Sequence, residues 1–140
     1  MIAKKSSALN KDQKNKLQKE GVVLVYLYGS EARGEAIKES DVDIAILFDK
    51  KIKEDDYLKK IFKISNLFND VYPNRDIDIA ILNQASPLFK QNAIIEGKEL
   101  YCRSQWERIL FENRTLHEYE DTRHLRNIYN YYLNLRLKNL

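Results

Sequence analysis

A chain of 140 residues, 44% hydrophobic and 32% charged, holds one domain with a buried core and is too short for two of ordinary size. Its 24 basic and 21 acidic residues leave a net charge of +3, too small to argue for a nucleic-acid partner. The six lysines set against Asp12 and Glu20 in the first twenty residues read as a solvated helix face. The longest apolar run, Val22 to Tyr28, is far below the roughly 18 residues a membrane span requires. Met1 to Lys5 leads into Ser6, Ser7 and a lysine-rich stretch, not into the apolar run of a signal peptide, and Cys102 has no second cysteine to bridge. The expectation is a protein of the reducing cytoplasm, away from membranes.

In chain order, Asn10 is placed to cap a helix over Lys11 to Glu20, which Gly21 ends. Val22 to Tyr28 is a β-branched and aromatic run of strand length and stops at Gly29-Ser30. A second strand is predicted for Asp41 to Phe48. Glu54 to Asn69 carries Tyr57, Leu58, Ile61, Phe62, Ile64, Leu67 and Phe68 at helical spacing, and Pro73 closes that region. A third strand over Asp76 to Leu82 leads through Ser86-Pro87 into a helix ending at Gly97, and a short strand covers Glu99 to Cys102. From Ser104 to about Lys138 the pattern is helical, without Gly or Pro, and as one rod it would reach roughly 50 Å. A break is expected over the polar stretch Glu118 to Thr122, followed by an amphipathic stripe of Leu125, Ile128, Tyr129, Tyr132, Leu133 and Arg136. The pattern is α/β (α+β): residues 1–102 form a core with its N-terminal helix, and residues 103–140 a C-terminal helical extension packed on that core or on a partner.

Two strands rich in Val and Ile begin with aspartates that a fully buried strand should not tolerate. In Asp41-Val42-Asp43 the spacing of two puts both carboxylates on one face. Like charges this close repel and resist desolvation, and a hard divalent cation with oxygen ligands relieves both problems. That chemistry points to magnesium. A third acid on the neighbouring strand, Asp76 or Asp78, could complete a site of the two-metal kind that drives in-line displacement at phosphorus.

Gly29-Ser30 follows a strand and precedes Glu31-Ala32-Arg33-Gly34, which could open a helix, and such a corner suits phosphate. Glycine lets the backbone approach closely, free N–H groups at a helix start face the anion, and the serine hydroxyl donates. No Walker-type or dinucleotide-binding glycine pattern occurs, so kinase, GTPase and dehydrogenase readings have no support.

Gly29-Ser30, ten residues, then Asp41-Val42-Asp43 resembles the G-S-x10-D-x-D signature of the DNA polymerase β-like nucleotidyltransferase superfamily. The flanking Tyr28 to Ala36 and Ser40 to Ile44 look like the minimal nucleotidyltransferases, the MntA-type antitoxins paired with HEPN-domain toxins, over roughly Val22 to Tyr101. The resemblance implies a mixed-sheet nucleotidyltransferase fold with flanking helices. It implies that Gly29 and Ser30 hold the triphosphate of ATP and that Asp41 and Asp43 bind two magnesium ions. Counting back from Asn83-Gln84-Ala85-Ser86-Pro87 makes Asp78 the third carboxylate, with Asp76 as the alternative on the same face. Where the family often carries another acid nearer the asparagine, this chain has Ile81. Arg33 or Arg75 could add a positive contact to phosphate. The implied reaction is attack of a tyrosine hydroxyl of a cognate HEPN ribonuclease toxin on the α-phosphate of ATP, which silences the toxin. Two alternatives stand beside it: an antitoxin that acts by binding alone, and transfer to a small molecule.

The remaining distinctive residues have plainer readings. His117 and His124 lack zinc-like spacing and read as surface or interface residues. Trp106, Tyr129, Tyr131 and Tyr132 are more readily packing or a partner surface than base-stacking platforms, with packing preferred. Cys102 is expected to be a small buried apolar residue.

Overall fold

The computed structural model describes residues 8–29 and 41–139. Helix α1 (Lys11–Lys19) starts where Asn10 and Gln13 cap each other: the Asn10 side chain accepts from the Gln13 N–H at 2.8 Å, and the Gln13 side chain accepts from the Asn10 N–H at 2.9 Å. Gly21 turns the chain with φ of +79°, beside the Ile52 side chain. Strand β1 (Val22–Tyr28) follows, then β2 (Val42–Phe48), helix α2 (Tyr57–Val71) and β3 (Ile77–Ile81). A single 3-10 turn (Leu82–Gln84) leads to helix α3 (Pro87–Glu96), β4 (Lys98–Cys102) and the long helix α4 (Gln105–Lys138). Ser86 caps α3 ahead of Pro87, the residue whose missing N–H costs nothing at a first helical position.

The sheet order is β3-β2-β1-β4, with β1 antiparallel to both neighbours and β2 parallel to β3. Strand alternation sorts the side chains onto two faces. Val42, Ile44, Ile46 and Phe48 of β2, with Ile77, Ile79 and Ile81 of β3, face α1 and α2, where they meet Leu17, Tyr57, Ile64 and Phe68. Ala45 and Leu47 point the other way with Leu24 and Tyr26 of β1, and meet Ala93 of α3 and Phe111 of α4. Both faces of the sheet are therefore covered by helices, and the mixed α/β architecture expected from the sequence is present.

The start of α4 is fastened to the sheet by charge. Arg103 bridges Asp49 at 2.7 Å and Glu107, the Tyr26 hydroxyl donates to Glu112 at 2.9 Å, and Arg108 holds the other oxygen of Glu112 at 2.9 Å. The expected break between Glu118 and Thr122 does not occur: α4 is one helix of 34 residues. The Thr122 hydroxyl donates to the carbonyls of Glu118 and Tyr119 within the helix, and with neither Gly nor Pro to break it the polar stretch stays helical. Packing within the chain is likewise not what Trp106, Tyr129, Tyr131 and Tyr132 do, since each is more than 60% exposed. Cys102 is half-buried against the second cluster rather than enclosed. Among the described residues no helix is long and apolar enough to cross a membrane.

Candidate active site

The register between β2 and β3 builds the site. Asp41-Val42-Asp43-Ile44-Ala45-Ile46-Leu47 and Asp76-Ile77-Asp78-Ile79-Ala80-Ile81-Leu82 are near copies, and they lie side by side with like residues opposite: Val42 by Ile77, Asp43 by Asp78, Ala45 by Ala80. Parallel neighbours about 4.8 Å apart put both carboxylates on one face. On the other side of β2, Asp43 is opposite Tyr28 of β1. Asp43, Asp78 and Tyr28 thus form one row across three strands, at the end of the face that Ala45 and Leu82 close off below.

The corner after β1 fits against this row. Gly29 has φ of +75°, and a Cβ built on it would lie 2.3 Å from Oδ2 of Asp43. Glycine is required twice over, by the left-handed backbone and by the carboxylate resting on its Cα. The Tyr28 phenol is pushed up to about 12, first by burial and then by the negative charges of Asp43 and Asp78. Its ring meets Phe89 of α3 edge-on, with centroids 5.3 Å apart.

Of the residues expected from sequence, Gly29, Asp43 and Asp78 come together here. Asp41 precedes β2 on the same face, exposed and one step further out, and the Asp76 carbonyl accepts the Val42 N–H at 2.8 Å. Asp76 therefore stands one step out with Asp41, while Asp78 is level with Asp43. Arg75 is half-buried just ahead of β3. Ser30 and Arg33 lie outside the described residues. Ile81, where the resemblance led to an acid, points to the opposite face among the α2-side apolar residues, so no carboxylate there could join the row.

Asn83 fixes the far end of these two strands: its side chain accepts from the Phe48 N–H at 2.8 Å and donates to the Phe48 carbonyl at 3.0 Å. Sequence reasoning missed Tyr28 and Phe89 as part of the site. The signal was available for Tyr28, because Leu24, Tyr26 and Tyr28 alternate onto one face of a strand ending at the glycine corner. Phe89 was not readable, since only the return of α3 over the sheet brings it there. A cavity of about 500 Å³ opens at the opposite end of the same face, between Leu47, Asn83, Lys90 and Phe111, and includes none of these aspartates.

Chemically, the row offers oxygen donors with adjacent negative charges, open toward solvent on one side. Among the described residues no three His, Cys, Asp or Glu side chains close around a point by themselves. Carboxylate oxygens are donors of the kind magnesium takes, an ion commonly held by one or two carboxylates with water and substrate phosphate completing its shell.

Comparison with known proteins bears on this geometry. The chain is 28% identical over 97 residues to the protein adenylyltransferase MntA of Shewanella oneidensis, a match spanning 69% of this chain and 66% of that relative, just under two thirds of its length. A chain of a crystallised toxin-antitoxin complex with AMP-PNP superposes with a TM-score of 0.66 at 24% identity, covering 89% of this chain and 99% of that one. A chain from a complex of tri-AMPylated Shewanella oneidensis HEPN toxin with MNT antitoxin gives 0.58 at 22% identity, over 89% and 99%. Both likenesses are of fold. A family model described as polymerase beta, nucleotidyltransferase, matches residues 11–106, from the first helix through β4 and into α4. The chain belongs to the polymerase beta nucleotidyltransferase family.

Proposed function

We propose that the protein is a magnesium-dependent protein adenylyltransferase antitoxin, which moves AMP from ATP to a tyrosine hydroxyl of a cognate HEPN ribonuclease toxin and so neutralises it. The observation that carries the reading is the level pair Asp43 and Asp78 beside the Gly29 corner. Family membership and the likeness to MntA support it.

In this reading Asp41, Asp43 and Asp78 hold magnesium, and Gly29, Ser30 and Arg33 bind the triphosphate. Gly29 supplies close backbone approach, Ser30 a hydroxyl donor and Arg33 a cation. Magnesium, when bound, offsets charge on the phosphates and lowers the pKa of the acceptor hydroxyl. Asp78 orients that hydroxyl and takes its proton as the tyrosine oxygen bonds to the α-phosphorus. The bond from the α-phosphorus to the oxygen bridging to the β-phosphate breaks, and pyrophosphate leaves with the electron pair. The core residues 1–102 carry this chemistry, and the extension 103–140 serves attachment. The work is cytoplasmic, where both ATP and a ribonuclease toxin are found.

Mass spectrometry of the toxin after incubation with this protein, ATP and magnesium tests the reading. Adenylylated tyrosine is expected, lost with a chelator and restored by added magnesium. A toxin that is inhibited yet unmodified would overturn the enzymatic reading in favour of neutralisation by binding alone.

A further inference from the structure

Helix α4 leaves the body of the protein part-way along its length. Glu118, held by Lys90 at 3.2 Å, is the last of its residues in an ion pair or hydrogen bond with another element among the described residues. Tyr119 to Lys138 then continues as helix for roughly 30 Å. This outer part is strongly apolar for an exposed rod: Leu125 is 66% exposed, Ile128 41%, Tyr129 66% and Tyr132 61%. A patch of this kind in water calls for a partner.

The order of residues specifies which one. Asp121, Leu125, Ile128, Tyr129, Tyr132 and Arg136 fall within an arc of about 100° at 3.6 residues per turn, so they share one face. The intervals between them, four, three, one, three and four residues, read the same in both directions. A two-fold axis between Ile128 and Tyr129 would lay a second copy antiparallel on the first. Leu125 then meets Tyr132 of the second copy, Ile128 meets its Tyr129, and Asp121 meets its Arg136, each contact occurring twice. Among the described residues neither Asp121 nor Arg136 has an ion-pair partner of its own, whereas Glu118 and Glu120 do. A parallel pairing would instead set Asp121 against Asp121 and Arg136 against Arg136.

We propose that the outer half of α4 is a self-association surface, on which two copies of this chain pair antiparallel about Ile128 and Tyr129 with reciprocal Asp121–Arg136 ion pairs. The inference rests on the helix alone and is independent of the carboxylate row.

Sedimentation equilibrium of the full chain, alone and at low salt, tests it. The wild type is expected to weigh as a dimer in the micromolar range. Asp121→Arg and Arg136→Asp each turn two attractions into two repulsions, and each is expected to weaken the dimer by roughly tenfold or more. Mixing the two variants restores it, because in the mixed pair both contacts are again between opposite charges. Circular dichroism of each variant separates loss of pairing from loss of helix. A wild type that stays monomeric throughout this range overturns the proposal and assigns the stripe to a different protein. Two variants that do not recover on mixing overturn the antiparallel register.

Discussion

Gly29 has no room for a side chain because Asp43 has taken it: Oδ2 of Asp43 lies 2.3 Å from where a Cβ would be. The glycine and the aspartate come from adjacent strand ends, so the glycine corner and the carboxylate row are one mechanical unit. Gly29→Ala is expected to cost about 1–2 kcal/mol of stability from the left-handed backbone alone. It should also swing Asp43 out of line, with adenylyl transfer falling by far more than the stability loss explains. Thermal denaturation beside single-turnover transfer separates the two effects. Transfer at wild-type rate would show that the corner tolerates Asp43 elsewhere.

Tyr28 reports the charge of the row. Its phenol is pushed up to about 12, from an ordinary value of 10.0, by burial and by Asp43 and Asp78. A phenol whose folded value is raised contributes stability that is fully present below pH 10 and is lost as pH climbs from there toward 12. Burial also raises Tyr26, Tyr57 and Tyr101, so carbon NMR of ring-labelled tyrosine, with the Tyr28 resonance assigned by its loss in Tyr28→Phe, should show that resonance titrating well above the exposed tyrosines. Asp43→Asn and Asp78→Asn should each bring it down, leaving the part due to burial.

The register distinguishes the two candidate third carboxylates. Asp78 is level with Asp43, and Asp76 is one step out, with its backbone carbonyl tied to Val42. Asp78→Asn is expected to reduce transfer at least a hundredfold, a barrier increase of about 2.7 kcal/mol. Asp76→Asn should stay within about tenfold of wild type. Measured kcat for both variants at saturating ATP decides it, and the reverse order would move the third ligand to Asp76.

Asn83→Ala removes both side-chain bonds to Phe48 and leaves that backbone N–H and carbonyl without them. A loss of about 1–3 kcal/mol is expected from urea denaturation. Asn83→Asp keeps the acceptor and forfeits the donor, so it should fall between the two.

Much of this was readable from the amino acids. Asn10, Gly21, Ser86 and Pro87 fixed helix ends by local chemistry, and the four strands were bounded within about a residue or two by hydrophobic runs that stop at turn residues. The D-x-D spacing gave the shared face of Asp41 and Asp43 because a strand has only one period. What local pattern could not give was depth across strands. The levelling of Asp43 with Asp78 depends on parallel pairing, and the place of Tyr28 depends on the antiparallel register with β1. The continuity of α4 was missed because polar residues were read as a break, although Thr122 finds its partners within the helix. The exposure of its tyrosines was missed because periodicity reveals an apolar face without revealing whether this chain covers it.

The likeness of the β2 and β3 sequences has a cost that the Asn83 clasp meets. Sliding one strand past the other by two residues would leave every isoleucine on its proper side, so hydrophobic sorting has no means of rejecting the error. It would nonetheless strand Asp78 away from Asp43. Asn83, anchored on Phe48 at the far end, indexes the two strands like a pin through a vernier scale. The alignment of acids at one end of the two strands is thus held from their opposite end, by a residue outside the row itself.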